Sequence, residues 1–109
     1  MLSIDERPDR QTVITTYDVT PGTFLDLLER LRDAYETFLR HQPGFLGAGL
    51  HVNDAQTRIA SYSQWRSRED FQNVLRSPEM RERNREFSAL SKSFEPVLYD
   101  VLETFASGR

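Results

Sequence analysis

The sequence contains no cysteine, so disulfides, zinc–thiolate sites and cysteine nucleophiles are excluded. It has no apolar run approaching the ~20 residues that cross a bilayer, no internal repeat and no low-complexity tract. Basic charge is not in surplus either. Fourteen basic and 17 acidic side chains are interleaved for a net charge of −3, and no basic stripe is offered to nucleic acid. The only histidines, His41 and His51, lack the close spacing of metal ligands, and no carboxylate cluster converges on them, so no metal site is expected. The opening stretch MLSIDERPDR is polar and acidic without a signal-peptide core. The expected location is the cytoplasm, with neither membrane nor nucleic acid as a partner.

The 109 residues fit one domain. We place a lead-in over residues 1–10, broken by Pro8, and a single domain over residues 11–106. Gln11–Val19 is rich in β-branched and aromatic residues and reads as a strand. Thr20-Pro21 is a helix start. Phe24, Leu27, Leu28, Leu31, Tyr35 and Phe38 then form one apolar stripe at helical spacing, with charges opposite. His41-Gln42-Pro43-Gly44 ends that helix. Phe45–Asn53 and Thr57–Arg66 read as a hairpin, its first strand loosened by Gly47 and Gly49. Ser67-Arg68-Glu69-Asp70 resembles a capping box, Ser77-Pro78 opens another helix, and Phe94–Phe105 reads as a last strand.

This order predicts an α+β fold of the ferredoxin-like split βαβ type, a four-stranded antiparallel sheet with helices on one face. The last strand is apolar on both sides: Val97, Tyr99 and Val101 alternate with Leu98 and Leu102. Two apolar faces require two covers. Helices supply one, and a second copy of the chain is the simplest source of the other, so a homodimer is expected.

Gln42-Pro43-Gly44-Phe45-Leu46, followed by Tyr62-Ser63-Gln64-Trp65-Arg66-Ser67 and Glu69-Asp70-Phe71, resembles the antibiotic biosynthesis monooxygenase family. The likeness in element order covers nearly the whole chain, and its specific part runs from Pro43 to Phe71. It implies a dimeric α+β barrel with a pocket between sheet and helices in each subunit. It also implies oxidation of a polycyclic aromatic of the anthrone or phenol type by O2 without metal or flavin, the substrate itself reducing oxygen. The sequence has Ser61 where family oxygenases often carry an asparagine four residues before the tryptophan, Thr16 near a second such position, and Phe71 where several have tyrosine. Haem-degrading relatives use a histidine on the helix after the tryptophan strand. Phe71–Leu90 contains none, and no cofactor is expected.

The candidate catalytic residues are Trp65, stacking on the substrate rings, Ser61, bonding to its oxygens, and His51, whose pKa range suits phenol deprotonation. The candidate substrate-binding residues are Thr16, Ser63, Phe71, Arg83 and Asn84. Helical spacing from Phe87 puts Arg83 and Asn84 near the inner face and turns Arg85 away. The side of the sheet taken by His51 depends on hairpin register; a four-residue turn over Asp54–Thr57 would leave it on the dimer side. A non-catalytic ligand-binding dimer and a polyketide cyclase on the same fold are the alternatives, and oxygen consumption separates them from the oxygenase.

Overall fold

The computed structural model describes Arg7 and residues 10–108; nearly all of the expected lead-in, Pro8 included, lies outside the described residues. Strand β1 (Gln11–Asp18) alternates as its side chains require, with Val13, Thr15 and Tyr17 buried on one face and Ile14 and Thr16 on the other. Helix α1 (Pro21–Thr37) begins with proline at its first turn. Thr20 does not cap it through its side chain, which instead meets the Thr23 hydroxyl at 3.3 Å. Phe24, Leu27, Leu28, Leu31 and Ala34 are buried along one stripe, where each large side chain contributes about 1.5–3 kcal/mol.

A 3₁₀ turn, Leu39–His41, carries the chain to Gly44, whose φ of 87° reverses it. A Cβ at that position would collide with the Asp70 side chain, and the Gly44 carbonyl accepts from the Arg66 N–H at 2.7 Å. Strands β2 (Phe45–Val52) and β3 (Arg58–Trp65) form the hairpin. Its turn is fixed by Asn53, whose Oδ1 accepts from the N–H groups of Thr57 (3.0 Å) and Arg58 (2.9 Å). This sets Leu50 opposite Ser61 and His51 opposite Ala60. A bulge at Leu46 then returns Phe45 to Trp65.

Helices α2 (Arg68–Arg76) and α3 (Pro78–Leu90) meet at Ser77. Its hydroxyl donates to the Val74 carbonyl at 2.7 Å and accepts from the Met80 N–H at 3.2 Å, ending one helix and starting the next. Ser67 likewise accepts from the Asp70 N–H at 3.1 Å, the half of the capping box that the sequence promised. Strand β4 (Ser93–Tyr99) pairs with β1, and the antiparallel sheet runs β2-β3-β1-β4. This is the expected α+β ferredoxin-like architecture.

The last strand is shorter than the expected Phe94–Phe105. Tyr99 already pairs with Thr12, one residue from the start of β1, so only Gln11 remains beyond it, too little to extend the strand to Phe105. Residues 100–108 continue without regular structure, Leu102 being 95% and Phe105 84% exposed. The buried core lies between the sheet and the helices. No helix of the described residues is long and apolar enough to cross a membrane.

Candidate functional site

Alternation on β1 and β3 decides what faces the helices. Thr15 pairs with Ser61, and Ile59, Ser61, Ser63 and Trp65 share the helix side with Val13, Thr15 and Tyr17. Across from them stand Tyr35 and Leu39 from α1 and its following turn, Phe71 and Val74 from α2, and Met80, Asn84 and Phe87 from α3. Together they enclose a cavity of about 50 Å³. That volume takes a few water molecules or one O2.

Trp65, 1% exposed, is held by rings on two sides: Phe45 edge-on at 5.3 Å and Phe71 tilted at 5.5 Å. Its Nε1–H donates to Ser63 Oγ at 3.1 Å. The Tyr35 hydroxyl is directed toward Ser61 and Ser63, and that of Tyr17 toward Ser61. The hydroxyls of Tyr17, Ser61, Tyr35 and Ser63 are thus grouped in one cavity, with the indole hydrogen-bonded to the last of them. Desolvation pushes both phenols above their usual 10.0, and for Tyr17 the proximity of Tyr35 adds to it. The serine hydrogen bonds only partly offset the rise. Both phenols therefore stay protonated at neutral pH. The cavity wall has no carboxylate, imidazole or cation among the described residues.

Of the residues singled out from the sequence, Trp65, Ser61, Ser63, Phe71 and Asn84 line this one cavity. Three do not. Thr16 is exposed on the opposite sheet face; Thr15, one residue earlier, takes the inward position beside Ser61. His51 is also exposed on the far face, as the turn at Asn53 dictates, and cannot reach the cavity. Arg83 turns toward α1, bonding Asp33 at 3.0 Å and Glu79 at 3.1 Å with its guanidinium 5.6 Å from the Phe38 ring centroid. Two carboxylates and a ring satisfy it, and Asn84 alone of that pair faces inward.

Tyr17, Tyr35 and Thr15 were not singled out. Tyr35 reads as one more member of the apolar stripe, and Tyr17 as strand aromatic. The available signal was that a buried phenol needs a hydrogen-bond partner, and the serines of β3 were the obvious ones.

A second, open space of about 700 Å³ lies outside the cavity, between α1 (Arg32, Tyr35, Glu36) and β2 (Phe45, Ala48, Leu50). Its rim charges are paired, Arg32 with Glu29 and Arg40 with Glu36.

A split βαβ sheet with an aromatic and hydroxylic cavity beneath its helices defines the chain as a ferredoxin-like α+β domain. Residues 10–86 match the antibiotic biosynthesis monooxygenase family, and the chain belongs to it. Tetracenomycin-F1 monooxygenase of Streptomyces glaucescens is 27% identical over 107 residues, which span 98% of this chain and 95% of the relative. Among solved structures, the monooxygenase of the Streptomyces coelicolor gene ActVA-Orf6, bound to nanaomycin D, superposes with a TM-score of 0.78 at 24% identity. That match covers 95% of this chain and 96% of the other. SnoaB, a cofactor-independent oxygenase from Streptomyces nogalater, gives 0.73 at 20% identity over 91% and 99% of the two chains.

Proposed function

We propose that the chain is an oxygenase that oxidises a planar phenolic substrate of the anthrone type with O2, without a resident cofactor, as one half of a homodimer. The observation that carries this reading is the wall around Trp65, where aromatic rings converge with the hydroxyls of Ser61, Ser63, Tyr17 and Tyr35 and with no charged side chain. Such a wall suits a flat aromatic with an oxygen at its edge. Fixed donors in a water-poor site favour the anionic form of that oxygen, and a phenolate is the form that gives electrons to O2. At the reacting carbon, two C–H bonds are replaced by one C=O. One oxygen atom enters the product and the other leaves as water, so four electrons pass from substrate to O2 and no further reductant is needed. The proton lost on ionisation is returned to the departing oxygen. Trp65 would stack on the rings, and Ser61 and Ser63 would hold the oxyanion. Kinship with monooxygenases supports the reaction class, and the ligand of the Streptomyces coelicolor relative supports a small organic substrate.

The test is oxygen uptake with a simple anthrone, against a protein-free control for autoxidation. Uptake with quinone formation, reduced at least tenfold in Trp65→Phe, is the expected result. Binding without uptake would favour the ligand-binding or cyclase alternative.

The homodimer rests on the uncovered sheet face. Ile14, Tyr62 and Val97 sit there half-buried beside Tyr99, which is 47% exposed, and the tail beyond presents Leu102 and Phe105. The Tyr62 hydroxyl, tucked beside Thr12, closes no hydrogen bond of normal geometry among the described residues. A second copy placed face to face would cover these groups.

A further inference from the structure

Tyr35 is the one described residue that lines both the closed cavity at Trp65 and the open groove between α1 and β2. Its ring is half-buried at the groove, 6.3 Å from Phe45, while its hydroxyl reaches inward to Ser61 and Ser63. The cavity behind it holds about 50 Å³. A site for a ligand of several fused rings needs roughly 300 Å³ or more. The cavity must therefore gain volume before it receives such a molecule. Around Trp65 its walls are close-packed, with Leu31, Phe87 and Trp65 at most 2% exposed and Val74 4%, while Leu75, Asn84 and Phe94 are half-buried and Pro96 is exposed. The groove of about 700 Å³ lies on the other side of a single phenol ring.

We infer that Tyr35 is a gate whose own phenol occupies the seat of the substrate's phenolic oxygen, and that substrate reaches Trp65 from the α1–β2 groove by displacing it. The inference rests on the reading above for the class of ligand and deepens it. In the closed form a phenolic O–H faces Ser61 and Ser63 inside the cavity, with its ring against Phe45 and Phe45 against Trp65. A phenolic ligand offers the same group. When the Tyr35 side chain swings into the groove, the serine hydroxyls lose their partner in a buried setting, an unfavourable state, and an incoming phenolic oxygen restores it. An apolar ligand of equal shape restores nothing, so the gate selects for oxygen at that edge. The small side chain of Ala48 leaves the groove open to the displaced ring. Because the binding-competent form is only a fraction of the population, the closed gate lowers apparent affinity by that fraction.

Trp65, the only tryptophan of the chain, reports arrival at the cavity. The probe is 1,8-dihydroxyanthraquinone, which is already oxidised and cannot turn over, followed by stopped-flow quenching of Trp65 fluorescence. Tyr35→Phe keeps the ring and removes both serine contacts. It should raise the association rate about tenfold, the factor expected when one or two net hydrogen bonds no longer hold the gate shut. Glu36→Phe, which narrows the groove from the exposed rim of α1 rather than from the strand beside the serines, should slow association by a comparable factor. Unchanged rates in both variants would overturn the gate. So would weaker binding by Tyr35→Phe, which would make Tyr35 a direct donor to the ligand, and so would an absence of quenching in wild type and variant alike. Quenching with the predicted rate changes but no oxygen uptake would remove the oxygenase and keep the gate. Oxygen uptake with unaltered rates would do the reverse.

Discussion

Ser61 is touched by two phenols and by nothing charged, so its hydroxyl is the best-placed donor for an anionic oxygen. Removing one preorganised donor from an oxyanion site costs about 10²–10³ in kcat where that donor is central. With Ser63 beside it as a second donor, Ser61→Ala should lower kcat for anthrone oxidation by about 10- to 100-fold, measured as oxygen uptake at saturation. The buried phenols make a separate prediction. Their pKa values are raised in the folded state, so the native protein holds protons that the unfolded chain releases above pH 10. Stability is thus fully present below that pH and declines above it, by about 1.4 kcal/mol per pH unit for each phenol. Urea unfolding between pH 9 and 11 should show this slope, and Tyr35→Phe should remove one proton's share of it. Trp65, Ser61 and Ser63 were legible as one face because strand alternation is insensitive to everything but parity. Thr16 was assigned one residue out of phase, since a loose alignment cannot fix parity where Thr15 and Thr16 are the same residue type. Tyr17 and Tyr35 were missed because hydrophobic periodicity registers a ring and ignores its hydroxyl.

Element by element, helix and strand positions followed from periodicity and caps, and the expected α1 stripe is the observed one. Arg83 shows where that reasoning stops. Its place on the α3 wheel was correct to within one position, yet Asp33 and Glu79 draw its guanidinium away from the cavity, and ion pairing between helices leaves no trace in a single helix's pattern. The Gly44 turn is the element whose failure would spread furthest, since it joins the end of α1, the start of β2 and the first turn of α2 at Asp70. A left-handed conformation alone costs a non-glycine residue about 1–2 kcal/mol. Because Asp70 must also be displaced, Gly44→Ala should lose more than ~2 kcal/mol in chemical denaturation, and Asp70→Ala in the same chain should recover part of the loss.

For the molecule as a whole, the sequence made the need for a second cover visible through the two-faced last strand but placed its apolar residues wrongly within a single sheet. The register of β4 against β1 runs out at Tyr99, so Leu102 and Phe105 extend beyond the sheet that was meant to hold them. If a second copy receives them, Leu102→Asp with Phe105→Asp forfeits about 1.5–3 kcal/mol of apolar burial per side chain. Light scattering at micromolar concentration should then show a dimer for the wild type and a monomer for the double variant. A wild-type monomer would leave the open sheet face without the cover proposed for it.

The uncharged wall of the cavity has one more consequence. A wall with no carboxylate, imidazole or cation among the described residues behaves toward its guest as a solvent does, here an alcohol made of serine and tyrosine hydroxyls. A solvent does not set the order of reactivity among its solutes. Across a series of anthrones bearing different ring substituents, turnover should rise and fall with each compound's own ease of oxidation in an ordinary alcohol, as cyclic voltammetry would report it. A flat response across such a series would mean that the protein contributes a rate-limiting step which that wall does not contain.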